Sequence, residues 1–508
     1  MLDMNTFVER HASRILGTLS CFDRVIITGT LPDICHQGAM AAYLGSRGVR
    51  LFDYPRFAMS FREEIRAHAE ALALKNGLTI DFIRRRDFRK EERIKAIVAE
   101  RGDHPGLVHI FSAMEPCPSF RPWHDKASGK TMLKPTDAKC LHYYFYFIHP
   151  GLGLCYLRVP TWAPFRLQFY FNGHHELALK LRGAGIAYTL LDNAFVHIAD
   201  FPRAQALADS PDIRDLHRQL DQTATEYCPV TKHFPSGYHW SLMQVEYATD
   251  VVFRRQADFQ PLYEAITHTA IHAVKPEHVA TFLGRKLTGS YEGEAGNDFH
   301  TRIQGTCIKH NMGPVAIKLY DKFGLIGRVE CTANDVTFFK HHRTVEHRDG
   351  STAFKLAPLR KSIYSLPTLH ELLRAATYRY LDFLAAIDDP GTGLRSLEKI
   401  STPVRQGDRS YRGFNLFHGA DLDLFQAMVR GEFTISGFQA RNLHSLIPNV
   451  SSGRLSRMLK RLRTHGLIKK IGRRYKYYLT TLGRTVATAG LRLRELVIIP
   501  ALNQPVPA

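Results

Sequence analysis

Residues 451–479, SSGRLSRMLKRLRTHGLIKKIGRRYKYYL, constrain the chain more tightly than any other stretch. Leu455, Met458, Leu459 and Leu462 recur at i, i+3, i+4 and i+7, which makes one apolar stripe along a helix. Ser456, Arg457, Lys460 and Arg461 are assigned to the opposite, solvent face, and Gly466 closes the helix as its C-cap ahead of Leu467 and Ile468. Residues 469–479 then read as a β-ribbon turning at Gly472 and Arg473, with apolar or aromatic arms and a cationic tip.

Upstream, residues 421–430 supply a first helix and residues 440–446 a short second one, so the order is that of a winged helix-turn-helix. Charge points the same way without any fold. Between Phe433 and Arg494 there are fourteen Lys or Arg and no Asp or Glu, in a chain whose formal net charge is +20. Such segregation suits a surface that displaces counterions from phosphates, whereas a module used only for protein contact has no reason to exclude acids. The expected nucleic-acid contacts are Arg454, Arg457, Lys460 and Arg461 on the helix, with Lys469, Lys470, Arg473, Arg474 and Lys476 on the ribbon.

At 508 residues the chain has ample core for about three domains. It carries no apolar run of membrane-spanning length and no signal-peptide pattern at its N-terminus, so the expectation is a cytoplasmic protein without a membrane partner. The eight cysteines stand singly, which favours reduced core thiols. Cys117, His124, Cys140 and His142 match no ordinary zinc spacing.

The fold expected is α+β: an N-terminal α/β unit over residues 1–135, an antiparallel β-rich body over 136–387, a linker over 388–419 and the winged helix over 420–508. In the first unit a helix over 5–19 leads to a strand over 24–28. Helices over 39–44, 54–75 and 90–101 alternate with strands over 79–83 and 107–112, a pattern that implies parallel pairing. Asp23 stands at the mouth of the first strand, either as a metal-binding carboxylate or as half of a surface ion pair with Arg24.

Residues 141–172 read as a three-stranded meander in which Tyr143, Tyr144, Tyr146, Tyr156, Trp162, Phe165 and Tyr170 mingle with Arg158 and Arg166. Aromatic faces beside guanidinium groups can stack single-stranded bases, and the same rings are also ordinary strand residues. His142 and His149 are too far apart in sequence to form a His-hydrophobic-His metal pair. Further on, Glu246 and Asp250 share a strand face at a separation of about 13 Å, so they cannot bind one ion together.

Residues 298–335, DFHTRIQGTCIKHNMGPVAIKLYDKFGLIGRVECTAND, divide into strands over 299–310, 315–321 and 328–332. Lys318, Tyr320 and Lys322 share one face of the middle strand, and Arg328, Glu330 and Thr332 one face of the third. If the faces coincide, a phenol, two or three cations and a carboxylate meet, which are the components for transesterification of a phosphodiester. IKLYDK followed by RVE is similar to the Tyr-x-Lys and Arg-x-Glu signature of rolling-circle replication initiator proteins of plasmids and filamentous phages. The wider stretch, HNMGPVAIKLYDKFGLIGRVECTANDVTFFKHHR, resembles an uncharacterised bacterial family spread among mobile elements. The resemblance implies Tyr320 as nucleophile, Glu330 as ligand to Mg²⁺, and Lys318, Lys322 and Arg328 as phosphate clamps.

The function expected is that of a DNA-binding protein of a mobile element with a Mg²⁺-dependent nickase or strand-transfer site. A non-catalytic winged-helix regulator and a binder of structured RNA are the alternatives. A long helix is expected from Ser365 or Thr368, with Thr368 and Glu371 as a capping box.

Overall fold

The computed structural model describes residues 5–85, 87–286, 295–302, 305–388, 397–415, 417–430, 433, 437–471 and 475–502. The chain forms two compact units, Met1–Asp388 and Asp389–Ala508.

The first unit is built on one mixed sheet of eleven strands. In chain order they are β1 (Ile15–Thr30), β2 (Ile80–Phe82), β3 (Gly106–Asp125), β4 (Lys130–His149), β5 (Gly153–Pro160) and β6 (Leu167–Asn172), then, after the separate hairpin β7 (Tyr188–Leu191) and β8 (Ala194–Ile198), β9 (His239–Phe253), β10 (Ala295–Arg302), β11 (Gly305–Met312), β12 (Val315–Lys322) and β13 (Ile326–Ala333). Across the sheet they run β10-β11-β12-β13-β9-β1-β6-β5-β4-β3-β2. The α/β unit and the β-rich body expected from sequence are therefore one sheet, with β1 at its centre.

Among the described residues parallel pairing is confined to β2 against β3, and β1 lies antiparallel to both β6 and β9. The apolar run Val25, Ile26, Ile27 is buried on both faces because β1 is central. A central antiparallel strand reads like a parallel one for that reason. The helix expected over 5–19 is restricted to Thr6–Arg10, and the chain is extended from Ile15. The strand expected over 299–310 is instead the antiparallel hairpin of β10 with β11.

Helices cover both faces. On one side Val25, Tyr247, Val251 and Val329 pack with Leu369, Leu373, Ala376 and Tyr380 of the helix Leu366–Asp388, and with Phe259 and Leu262 of the helix Gln256–Ala273. The long helix opens at Leu366, so Thr368 lies within its first turn. On the other side Leu19, Cys21, Val252 and Ile326 meet Leu177 and Leu181 of the helix Gly173–Gly183, Phe201 of the helix Phe201–Ala208, and Phe195 of β8.

The aromatic meander belongs to this interior: Tyr143, Tyr144, Tyr146, Tyr156 and Phe165 are all buried. A base-stacking platform on those rings is thereby excluded. Of the cysteine and histidine set His124 stands apart, since Cys140 pairs across the ladder with Glu115 and His124 with Thr131, nine residues or about 30 Å along β3, whereas Cys140 Sγ lies 3.8 Å from His142 Nδ1.

In the second unit the helices Gly419–Met428, Ala440–Leu446 and Ser452–Thr464 are followed by the hairpin of Ile468–Ile471 with Lys476–Leu479 and the helix Thr481–Leu493. Leu455, Met458, Leu459 and Leu462 are buried against Leu424, Phe425 and Met428. Gly466 takes φ +73° just past the helix end, a conformation that a side chain would strain. Much of the stretch read as a linker is folded into this unit. Ile400 and Phe414 join its core, and Val404–Gln406 pairs with Arg409–Tyr411. No helix among the described residues is long and apolar enough to cross a membrane.

Candidate metal centre

Asp23, Glu246 and Glu330 each present a carboxylate oxygen within 4.8 Å of the others. Adjacent strands β1, β9 and β13 supply them. The register explains how: Phe22 pairs with Tyr247 and Val25 with Val245, so two residues of β1, Asp23 and Arg24, oppose the single residue Glu246. This is a β-bulge, the device by which a strand re-aims a side chain. Asp23 is buried here and is ion-paired with Arg328, so the surface pair with Arg24 does not form.

The bulge is held from above by the helix Gly173–Gly183. Gly173 sits so close that a Cβ there would lie 2.1 Å from the Phe22 carbonyl oxygen, so only glycine permits the approach. That brings His174 Nδ1 to 3.2 Å from Asp23 Oδ1. Asn172 donates to Asp23 at 2.8 Å, and Asn193, at the turn of the β7–β8 hairpin, donates to both its oxygens at 2.8 and 2.7 Å. Burial pushes an acid up, but His174 and Arg328 outweigh it and hold Asp23 ionised, well below the ordinary carboxylate range.

Glu330 is also buried, and three donors converge on it. Lys318 Nζ lies 2.6 Å from Oε1, the Tyr320 hydroxyl 2.5 Å from Oε2 and the Thr332 hydroxyl 3.2 Å from Oε1. The faces carrying Lys318, Tyr320 and Lys322 and carrying Arg328, Glu330 and Thr332 therefore coincide. Burial and then Glu330 push the Tyr320 phenol well above its usual range.

Glu246 differs from both. It is half-buried, makes no side-chain hydrogen bond or ion pair with a described residue, and is pushed up to about 7 by burial and by Glu330. Three hard oxygen donors, one of them uncompensated, are a donor set for Mg²⁺ or Mn²⁺. Arg24 adds a guanidinium beside the cluster, 5.4 Å from the Tyr170 ring centroid, with its buried Nε lacking a hydrogen-bond partner.

Two expected phosphate clamps are otherwise engaged. Arg328 is 0% exposed, bonded to Asp250 at 2.6 and 2.7 Å and to Asp23 at 3.2 Å, so no substrate reaches it. Asp250, directly opposite it on β9, is brought down to about 2, burial being outweighed by Arg328. Lys322 is bonded to the Asn193 side-chain oxygen and lies 3.6 Å from Asp192. Lys318 remains partly open at 24% exposure. Asp250 and Glu246 do not share a site, as the strand rise requires. Sequence reasoning missed His174, Asn172 and Asn193, none of which sits in a recognisable spacing.

In the second unit Arg454, Arg457 and Lys469 are exposed, and Lys460, Lys470 and Lys476 are half-exposed. Arg473 and Arg474 lie outside the described residues. Arg461 does not face solvent. It is buried, forms a two-pronged pair with Asp421 at 2.7 and 2.9 Å, and stacks 3.7 Å from the Phe414 ring centroid. Comparison with protein-family models, curated proteins and solved structures finds no match to this chain, and the geometry alone carries the functional reading.

Proposed function

We propose that this protein is a metal-dependent enzyme of DNA strand cleavage or transfer, belonging to a mobile element, whose first unit carries the chemistry and whose second unit, read as a winged helix, holds the DNA. The observation that carries the proposal is the convergence of Asp23, Glu246 and Glu330, with the Tyr320 hydroxyl hydrogen-bonded to Glu330.

Asp23, Glu246 and Glu330 would hold one divalent cation, which when bound polarises a phosphate and offsets the charge that develops on it. Lys318 and Arg24 are the cations left to meet phosphate oxygens. In the transfer reaction the Tyr320 oxygen attacks phosphorus as its proton passes to Glu330, and the P–O bond to the leaving nucleotide breaks, the departing oxygen taking a proton from solvent to become a hydroxyl. The product is a phosphotyrosyl link. Burial holds the phenol protonated in the resting site, which favours a second reading: water attacks instead, and Tyr320 positions Glu330.

Labelled supercoiled and single-stranded DNA, incubated with the full chain and Mg²⁺ or Mn²⁺, tests the proposal. Nicked or covalently captured strands are expected, lost on chelation and in Asp23→Asn. Metal binding is read separately by Tb³⁺ luminescence. Absence of both cleavage and metal binding overturns the enzyme reading and leaves the winged-helix regulator.

A further inference from the structure

The segment Val404–Tyr411 reads as a tether in sequence, yet it is an antiparallel hairpin fixed to the cationic helix Ser452–Thr464. The mounting is made of hydrogen bonds to backbone carbonyls and one between side chains. Arg461 Nε donates to the Arg412 carbonyl at 2.9 Å, its Nη2 donates to the Gly413 carbonyl, and the His465 ring lies 2.8 Å from the Lys399 carbonyl and 3.1 Å from that of Arg412. Thr464 adds a bond to Gln406 at 3.2 Å. Gly413 is pressed so close that a Cβ would stand 1.8 Å from the Ser401 carbonyl oxygen. A hairpin held this way moves with the helix.

Its charged side chains are not used in that mounting. Arg409 is exposed and makes no ion pair with a described residue. Arg412 is 62% exposed and reaches Asp421 only at 3.6 Å, where Arg461 already pairs. Together with Arg454, Arg457 and Lys460 of the helix they line a groove of about 780 Å³. No acidic side chain lines it.

We infer that the hairpin Val404–Tyr411 is a second arm of the nucleic-acid interface, with Arg409 and Arg412 taking backbone phosphates of a DNA duplex whose groove receives the helix Ser452–Thr464. Five cations besides the Asp421-paired Arg461, and no acid among the described residues that line the groove, match the backbone of a polyanion, and the rigid mounting spares the ordering cost that a flexible tether would incur on binding. This rests on the reading of the second unit as a DNA binder.

The test uses the full chain and a fluorescent duplex of about 30 base pairs, with binding measured by anisotropy across KCl from about 50 to 200 mM. Arg409→Ala with Arg412→Ala is expected to flatten the salt slope by about two units and to weaken binding about 10- to 60-fold near 0.1 M, since each phosphate contact contributes about 0.9 to the slope. Arg409→Ala alone, at a position with no intramolecular ion pair to lose, is expected to remove about one unit. Arg409→Lys with Arg412→Lys is expected to keep the slope. A wild-type chain that binds no duplex overturns the DNA reading itself. Wild-type binding with an unchanged slope in the double alanine variant, while Arg457→Ala weakens it, overturns the role of the hairpin and leaves the DNA reading standing.

Discussion

The Tyr320 hydroxyl lies 2.5 Å from the Glu330 carboxylate on the neighbouring strand, a distance typical of a hydroxyl donating to an ionised oxygen. Tyr320→Phe removes that hydroxyl and leaves the ring in place. Loss of a hydrogen bond to a charged group is expected to cost about 1–3 kcal/mol of stability, so the variant folds. It is expected to form no covalent DNA adduct while binding duplex like wild type, with denaturing gels reading the first and anisotropy the second. Slowed but persistent cleavage without an adduct in Tyr320→Phe assigns the attack to water and leaves Tyr320 as a positioning residue for Glu330, whereas cleavage at the wild-type rate removes Tyr320 from the reaction.

Arg328 acts on stability rather than on substrate. Replacing it with Met leaves Asp250 and Asp23 buried beside each other without their guanidinium, and breaking a buried pair in this way costs about 3–5 kcal/mol. Chemical denaturation is expected to show a lowered midpoint for Arg328→Met and a partial recovery when Asp250→Leu is added. A midpoint unchanged from wild type would overturn the stabilising role of Arg328.

Arg461 and Arg457 are neighbours on one helix with opposite fates. Arg461→Ala strands the buried Asp421 carboxylate, so a loss of about 3 kcal/mol is expected in the melting of the second unit. Arg457 is exposed, and Arg457→Ala is expected to change stability by no more than about 0.5 kcal/mol while weakening DNA binding by about 1–3 kcal/mol if it reads a base. The two variants are separated by measuring melting and anisotropy on the same preparations.

The burial of Arg461 shows where sequence periodicity stops. It stands only about 60° round the helix from Met458, at the edge of the apolar stripe, and whether an edge residue is covered depends on what packs there. Phe414 and Asp421, some forty residues earlier, cover it, and no local pattern announces them. The Tyr320 and Glu330 relationship was legible because β12 and β13 are joined by a short turn and period-two alternation fixes both faces. Asp23 reads in sequence as a metal-binding carboxylate or a surface partner of Arg24, but its place beside Glu246 was not legible, since it needs β1 to lie next to β9 and to bulge at that one point. The local helices over 90–101 and 440–446 were legible from propensity and spacing. The order of the sheet depends on pairings between strands hundreds of residues apart, which composition and periodicity do not encode.

On the proposed reading, a proton and a divalent cation compete for Glu246. In the folded chain this carboxyl is pushed up to about 7, above the 4.5 of an unperturbed glutamate, by burial and by Glu330. With a raised folded value, the folded state takes up the proton more readily than the unfolded chain does. The stability it contributes is therefore full below about 4.5 and is lost as pH rises towards 7. Without metal, the first unit is expected to melt lower at pH 8 than at pH 5 on this account, and Glu246→Gln, which cannot ionise, is expected to remove that fall and to melt above wild type at pH 8. A divalent cation reverses the sign, because it binds the ionised form. Wild-type affinity for Mn²⁺ is expected to weaken by about tenfold for each pH unit below 7, where one proton must leave for the ion to enter. Calorimetric titration with Mn²⁺ between pH 5.5 and 8, together with melting of the metal-free chain, checks both signs. A melting temperature insensitive to Glu246→Gln at pH 8, combined with Mn²⁺ affinity independent of pH, would show that these three carboxylates do not act as one cation site.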